Sequence, residues 1–170
     1  MPVSGEPWGY NFGMGVVLAK QTQIERAPGS GTGVVLGIDY GRKRIGLAIS
    51  DAMGFTARPL ETIEAKSAAE ELARLEQIAR ERGVARIVVG LPLRLDGTEG
   101  AMAGEARRFA RRLERALHLP VEVVDERLTS WAAREWKAAH PELGRGRGED
   151  EIAAAILLED FLARKRESSG

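Results

Sequence analysis

The stretch Val34-Val35-Leu36-Gly37-Ile38-Asp39-Tyr40-Gly41-Arg42-Lys43-Arg44-Ile45-Gly46-Leu47-Ala48-Ile49-Ser50-Asp51 decides the fold. An apolar run ends in an acid, Asp39. A basic turn containing Gly41 follows, and a second apolar run returns over residues 45–49. Two β-rich runs joined by three to five residues with a glycine predict a β-hairpin. Asp39 needs a reason. An ionised carboxylate at the inner end of a buried strand is costly unless it is paired or binds a metal. The plainer alternative is a turn aspartate that accepts backbone hydrogen bonds. This stretch alone leaves both open.

Downstream, a third strand is expected over residues 57–63, after the Met53-Gly54 turn. Ser67-Ala68-Ala69-Glu70 has capping-box spacing. The helix behind it carries Leu72, Leu75, Ile78 and Ala79 on one face, and Gly83 stops it. Residues 86–89 form a short buried strand that empties into Gly90-Leu91-Pro92-Leu93-Arg94-Leu95-Asp96-Gly97-Thr98, a loop by its Pro and Asp-Gly. A second helix is expected over about 100–117, with Ala106, Phe109, Leu113 and Leu117 inward. Residues 121–124 read as another strand, and it too runs into acids, Asp125 and Glu126. A third helix over about 129–139, a Gly-rich loop over 141–148 and a last helix from Glu149 complete the chain. That last helix is expected to turn Ile152, Ala153, Ile156, Leu157 and Phe161 inward. Antiparallel strands followed by strand–helix alternation predict an α/β fold, a mixed sheet with helices on both faces.

Composition narrows the function. The 170 residues suit one domain, expected over 33–166. Residues 1–32 are broken by glycines and read as a mostly disordered extension, with 167–170 as a tail. Net charge is zero, so nucleic acid would have to be held by a local patch. The absence of Cys removes disulfides, thiolate catalysis and Cys-type zinc sites. His118 and His140 match no metal-ligand spacing. No apolar run reaches the roughly 18 residues of a membrane span and no signal peptide is visible, so a cytosolic protein is the default expectation.

Asp39 and Glu126 each lie just past an apolar strand, and in open α/β sheets functional residues gather beyond the carboxyl ends of parallel strands. Asp150 falls in the first turn of the last helix, where its neighbours Ala153 and Ala154 would let the helix approach the sheet closely. The alternative for Asp150, Glu149 and Glu151 is favourable charge for the helix dipole. Asp125 can simply accept backbone hydrogen bonds. Three convergent carboxylates would suit a hard cation bound by oxygen, and two such ions would clamp an in-line phosphoryl displacement.

Four motifs in order resemble the YqgF family of pre-16S rRNA nucleases, also described as Holliday-junction-resolvase-like. They are Gly37-Ile38-Asp39-Tyr40-Gly41 with Lys43-Arg44-Ile45-Gly46; Gly90-Leu91-Pro92 with Asp96-Gly97; Asp125-Glu126-Arg127-Leu128-Thr129; and Asp150 with Ala153-Ala154, Ile156-Leu157 and Phe161. Arg94 and Leu95 depart from the Asn and Met frequent there. The resemblance implies a ribonuclease H-like fold, a five-stranded sheet whose second strand is antiparallel. It implies catalytic and metal-binding roles for Asp39, Glu126 and Asp150 with Mg2+ or Mn2+, expected as two ions. It implies hydrolysis of phosphodiester bonds in structured nucleic acid: 5′-end maturation of pre-16S rRNA, or alternatively resolution of branched DNA as a Holliday-junction resolvase. A homodimer is compatible with it. Alternatives of another class are a non-catalytic nucleic-acid-binding module and an ATP-binding module, the latter disfavoured because it normally needs two such domains.

Arg42, Lys43, Arg44, Arg127, Arg145 and Arg147 would fall near the acids and are the expected phosphate contacts. Arg107, Arg108, Arg111, Arg112 and Arg115 on the second helix read as a solvated face with i,i+4 partners. Trp131 and Trp136 read as core or interface residues.

Overall fold

The hairpin forms where its sequence places it. In the computed structural model, which describes residues 33–92, 96, 98–126 and 130–170, β1 (Val34–Asp39) and β2 (Arg44–Ser50) pair antiparallel. Asp39 stands opposite Gly46. A four-residue turn closes the pair, and a Cβ on Gly41 would stand 2.4 Å from the Arg44 carbonyl oxygen, so the turn needs glycine. The extension expected over 1–32, and Arg94, Leu95 and Arg127, lie outside the described residues.

β3 (Ala57–Glu64) pairs antiparallel with β2 after a turn organised by Asp51. The Asp51 carboxylate accepts the backbone N–H groups of Met53, Phe55 and Thr56. Those donors, Thr56 first, hold its pKa below the usual aspartate value. Helix α1 (Ala68–Arg82) starts at Ser67 as expected, with half of the capping box: Ser67 Oγ accepts the Glu70 N–H at 3.2 Å, while the Glu70 carboxylate takes the Ser67 hydroxyl at 3.0 Å in place of its backbone N–H. It ends at Gly83, whose φ of 61° is left-handed. Then come β4 (Val84–Pro92), α2 (Ala101–Leu117), β5 (Val121–Glu126), α3 (Ser130–Ala139), α4 (Pro141–Gly144) and α5 (Glu149–Ser168). The strand order is β3-β2-β1-β4-β5, with β1, β4 and β5 parallel and β2 antiparallel to both neighbours. This is the expected α/β fold, a five-stranded mixed sheet. Three expectations are corrected. β4 runs through Pro92, so Gly90-Leu91-Pro92, expected to open a loop, pair instead with Val124-Asp125-Glu126 of β5. The segment 141–148 opens with the one-turn helix α4, because Pro141 at its first turn loses no backbone hydrogen bond. The helix α5 also runs into the expected tail, as far as Ser168.

Pleating sends alternate residues of β1 into two cores. Leu36 and Ile38 join Ile87, Val89, Leu75, Phe109 and Leu113 under α1 and α2. Val35 joins Ala48, Val88, Ile152, Leu158 and Phe161 under α5. Burial on both faces explains the unbroken apolar run of β1. Each fully buried Leu or Phe here is worth about 1.5–3 kcal/mol. The buried face of α5 is wider than its periodicity predicts: Ala154, Ala155, Leu158 and Leu162 are also buried, while Ala153 and Ile156 are only half-buried. The helix packs on the sheet and on α3 at once.

Glycines on the sheet let α5 approach. A Cβ on Gly46 would stand 2.0 Å from the Asp150 carbonyl oxygen, and one on Gly37 would stand 2.9 Å from Leu158 Cβ. The close approach expected from Ala153 and Ala154 is thus made possible from the other side. Gly46→Ala should cost about 3 kcal/mol or more, because the clash is with backbone that cannot swing away. Gly104, inside α2, meets only the Arg108 guanidinium at 3.5 Å, and Gly104→Ala should stabilise by about 0.5–1 kcal/mol. Urea unfolding of both variants checks the pair; equal effects would contradict the seat at Gly46.

Candidate active site

Strand register brings the acids to one edge. Ile38 lies beside Val89, and Val89 beside Val123, so β1, β4 and β5 run out together. Gly37, Val88 and Glu122 are aligned and share a sheet face, the one α5 covers. Two residues on from Gly37 is Asp39, and four on from Glu122 is position 126. Both positions therefore share that face at the carboxyl ends of parallel strands. Asp150 reaches the same place through its carbonyl, which sits over Gly46, the residue opposite Asp39. Opposed residues of an antiparallel pair have Cα atoms about 4.5–5.5 Å apart. Residues far apart in sequence thus converge at one corner of the sheet. The side chain of Glu126 lies outside the described residues.

Asp39 is half-buried and is engaged by other groups of the protein. Asp150 accepts an ion pair from Arg44 Nε at 2.9 Å, its side chain 29% exposed against 65% for the arginine. Arg44 opens β2 two residues before Gly46, so alternation sends it to the face on which Asp150 sits. At that exposure the pair is worth about 0.2–1 kcal/mol, weak enough to exchange for another ligand.

The other expected phosphate contacts are placed as follows. Arg42 makes a forked contact to Glu105 on α2, Nε to Oε2 at 2.9 Å and Nη2 to Oε1 at 2.7 Å. That bond raises the pKa of Arg42 and holds the Glu105 carboxyl below its usual range. The side chains of Lys43 and Arg145 are exposed and make no hydrogen bond or ion pair among the described residues. Arg147 donates to the Leu60 carbonyl at 2.8 Å, tying its loop to β3. Arg127 lies outside the described residues.

Contacts made far along the chain hold this corner. Tyr40 packs on Phe109 of α2 with ring centroids 4.8 Å apart and planes tilted by 34°, beside the Arg42–Glu105 fork, so the hairpin turn is pinned at two points. Burial, then the Glu105 and Glu71 carboxylates, raise the Tyr40 pKa. Glu151 is buried and structural: it accepts the Gly148 N–H at 2.9 Å and the Thr62 hydroxyl at 2.8 Å. No single-residue signal marks Glu105 or Thr62, because each partner is far away in sequence. Trp136 is buried as expected, donating Nε1 to Glu159 at 2.9 Å and stacking on His140 at 4.4 Å. Trp131's side chain lies outside the described residues. The solvated face expected of α2 forms, with Arg108, Arg111, Arg112 and Arg115 exposed, but the expected i,i+4 partners are not found among the described residues. Its acids are only Glu105 and Glu114, and its ion pairs run to other elements: Arg107 to Glu99 and Arg112 to Glu71 at 3.6 Å.

The donor chemistry at the corner fits a hard divalent cation: oxygen ligands, no thiol, and His140 committed to Trp136 and Glu159. No group of three His, Asp or Glu side chains is assembled for a cation among the described residues, a set that lacks the Glu126 side chain.

Comparison with known proteins agrees with this architecture. The Thermus thermophilus RuvC structure aligns with a TM-score of 0.52 at 20% identity, covering 78% of this chain and 96% of that one. The fowlpox virus resolvase, solved with Holliday junction DNA, aligns at 0.50 and 12%, covering 78% and 98%. The fold is that of the RuvC-like, ribonuclease H-like α/β proteins. The profile of the RuvX Holliday junction resolvase family matches residues 33–164, and the chain belongs to that family. A candidate pre-16S rRNA nuclease of Anaeromyxobacter dehalogenans is 48% identical over 132 residues, 76% of this chain and 96% of the relative. One from Synechococcus is 45% identical over 134 residues, 78% and 90%.

The Arg42–Glu105 fork makes the pinned turn acid-sensitive. Because Glu105 has a depressed pKa when folded, its stabilisation is complete above the ordinary Glu pKa of about 4.3 and fades as pH falls through the lower folded value. Urea unfolding between pH 5 and 3 should show Glu105→Gln losing less stability on acidification than the wild type. Parallel curves would remove the fork from the stability of the turn.

Proposed function

We propose that this chain is a metal-dependent endonuclease whose physiological reaction is 5′-end maturation of pre-16S ribosomal RNA in the cytosol. The observation that carries the reading is the convergence of positions 39, 126 and 150 at the carboxyl edge of the sheet. It is joined to close similarity with candidate pre-16S rRNA nucleases over nearly their full length. Among the described residues no helix is long and apolar enough to cross a membrane.

Asp39, Glu126 and Asp150 would hold Mg2+ or Mn2+, with two ions as the preferred number. The cation held by these residues would supply Lewis-acid stabilisation of the charge that develops on the attacking and leaving oxygens. The chain's own residues do the rest. Asp39 and Asp150, fixed on a strand and on a helix seated against it, keep their carboxylates in register without loop motion. Arg44 neutralises Asp150 until substrate and metal arrive, and can then turn its exposed guanidinium to a phosphate. Lys43 and Arg145 are exposed and available to the backbone; Arg127 follows the second acid in sequence. Arg42 contributes through the turn it pins, and Arg147 by fixing its loop.

The family's description as Holliday junction resolvases favours a second reading, cleavage of branched DNA by the same acids. A panel of labelled pre-16S RNA and four-way junctions, with Mg2+, Mn2+ or EDTA, separates the two. RNA cleavage that EDTA abolishes supports the proposal; cleavage of junctions alone selects the second reading. In the same assay Asp39→Asn and Asp150→Asn should lose at least a hundredfold in rate while binding substrate within a few-fold. A wild-type rate for Asp39→Asn in both metals would overturn the nuclease reading.

A further inference from the structure

The basic surface of this chain is not confined to the acid corner. Arg108, Arg111, Arg112 and Arg115 are all exposed on α2 and, with Ala116, line a surface cleft of about 520 Å³. Their spacing of i, i+3, i+4 and i+7 makes a single stripe, with neighbours about 5–6 Å apart and a length of about 10 Å. The opposite face of the helix is in the core through Ala106, Phe109, Ala110 and Leu113, so the helix cannot roll the stripe inward.

Little of this charge is cancelled. Arg112 reaches Glu71 at 3.6 Å and lies over the Phe109 ring at 5.6 Å. Arg108, Arg111 and Arg115 make no ion pair with described residues. Of the two acids on the helix, Glu105 is occupied by Arg42, and Glu114 falls on the flank of the stripe at 100° per residue. Like charges at i,i+4 and i,i+3 destabilise a helix by a few tenths of a kcal/mol each. In a chain of zero net charge, such a cluster is a local positive field. The guanidinium fork recognises phosphate oxygens in particular.

The stripe also has a direction. It begins one turn beyond Glu105, the anchor of Arg42 and of the hairpin turn that carries Arg44 to Asp150. From the acid corner it leads along the outside of the sheet's other helical layer.

We propose that the α2 arginine cleft is a second nucleic-acid site, a non-catalytic dock for the phosphate backbone of an RNA duplex arm flanking the cleavage point. The dock rests on the nucleic-acid reading above but requires no cleavage, so its test is made without metal. Fluorescence anisotropy in EDTA, over a series of salt concentrations, compares the full chain with the Arg108→Ala, Arg111→Ala, Arg115→Ala triple variant on a 30-base-pair RNA hairpin. A charge-matched control replaces Arg58, Arg80 and Arg82, all exposed and on other elements, with Ala. The α2 variant should lose at least tenfold in affinity and about 2–3 from the slope of log K against log salt, about 0.7–0.9 per phosphate contact. The control should stay within threefold, and the corresponding triple Lys variant should recover most of the affinity. The proposal is overturned if the α2 variant keeps wild-type affinity and slope, or if the control loses as much. It is also overturned if the variant loses binding to polyglutamate and not to RNA, which would make the cleft a dock for an acidic protein. Loss of RNA affinity in the α2 variant, alongside a wild type that binds RNA but cleaves nothing, would sustain the dock and remove the nuclease reading alone.

Discussion

The carbonyl oxygen of Asp150 resting on Gly46 is the contact on which the candidate site depends. Gly46 faces Asp39 across the hairpin, so one backbone approach fixes where α5 begins relative to the end of β1. No side chain could occupy that position without lifting the helix. Gly37 repeats the arrangement further along, where a Cβ would strike Leu158 and approach the Ala154 carbonyl. Apolar burial under α5 supplies the adhesion, and the two glycines set the distance. Glu151 locks the start of the helix, joining its capping position to Thr62 of β3.

A second constraint is electrostatic. The hairpin turn supplies the arginines that pair with Asp150 and Glu105. Arg44 goes to Asp150, and Arg42 fixes the turn to α2 through Glu105 with Tyr40 on Phe109 beside it. These are exposed or half-exposed contacts, each weak in water. Their sum places cations at the edge without burying any of them. Zero net charge then makes location decisive: the positive field of the chain is local and not spread over the molecule at large.

Much of this was legible locally. Alternation and turn composition predict the hairpin, Ser67 with Glu70 predicts the start of α1, and Gly83 its end, because each depends on neighbours within four residues. Asp39 and Glu126 stand out because acids are rare at the ends of buried strands. The role of Gly46 was not legible locally: glycine inside a strand can mark a close backbone approach, but what approaches here is the start of α5, far along the chain. The Arg42–Glu105 and Thr62–Glu151 bonds span 63 and 89 residues, so no local pattern carries them. The arginines of α2 illustrate the converse. Read locally, a row of cations on a helix is a solvated face; only the tertiary arrangement reveals that its acids are engaged elsewhere or lie off the stripe.

Strand register and the Gly46 seat would make one cation site of Asp39, Glu126 and Asp150. Calorimetric titration of Mn2+ into the wild type, Asp39→Asn, Glu126→Gln and Asp150→Asn tests it most directly. The wild type should bind Mn2+, and each variant should lose at least tenfold in affinity. Mn2+ binding indifferent to Asp39 and Asp150, in variants that remain folded, would contradict it.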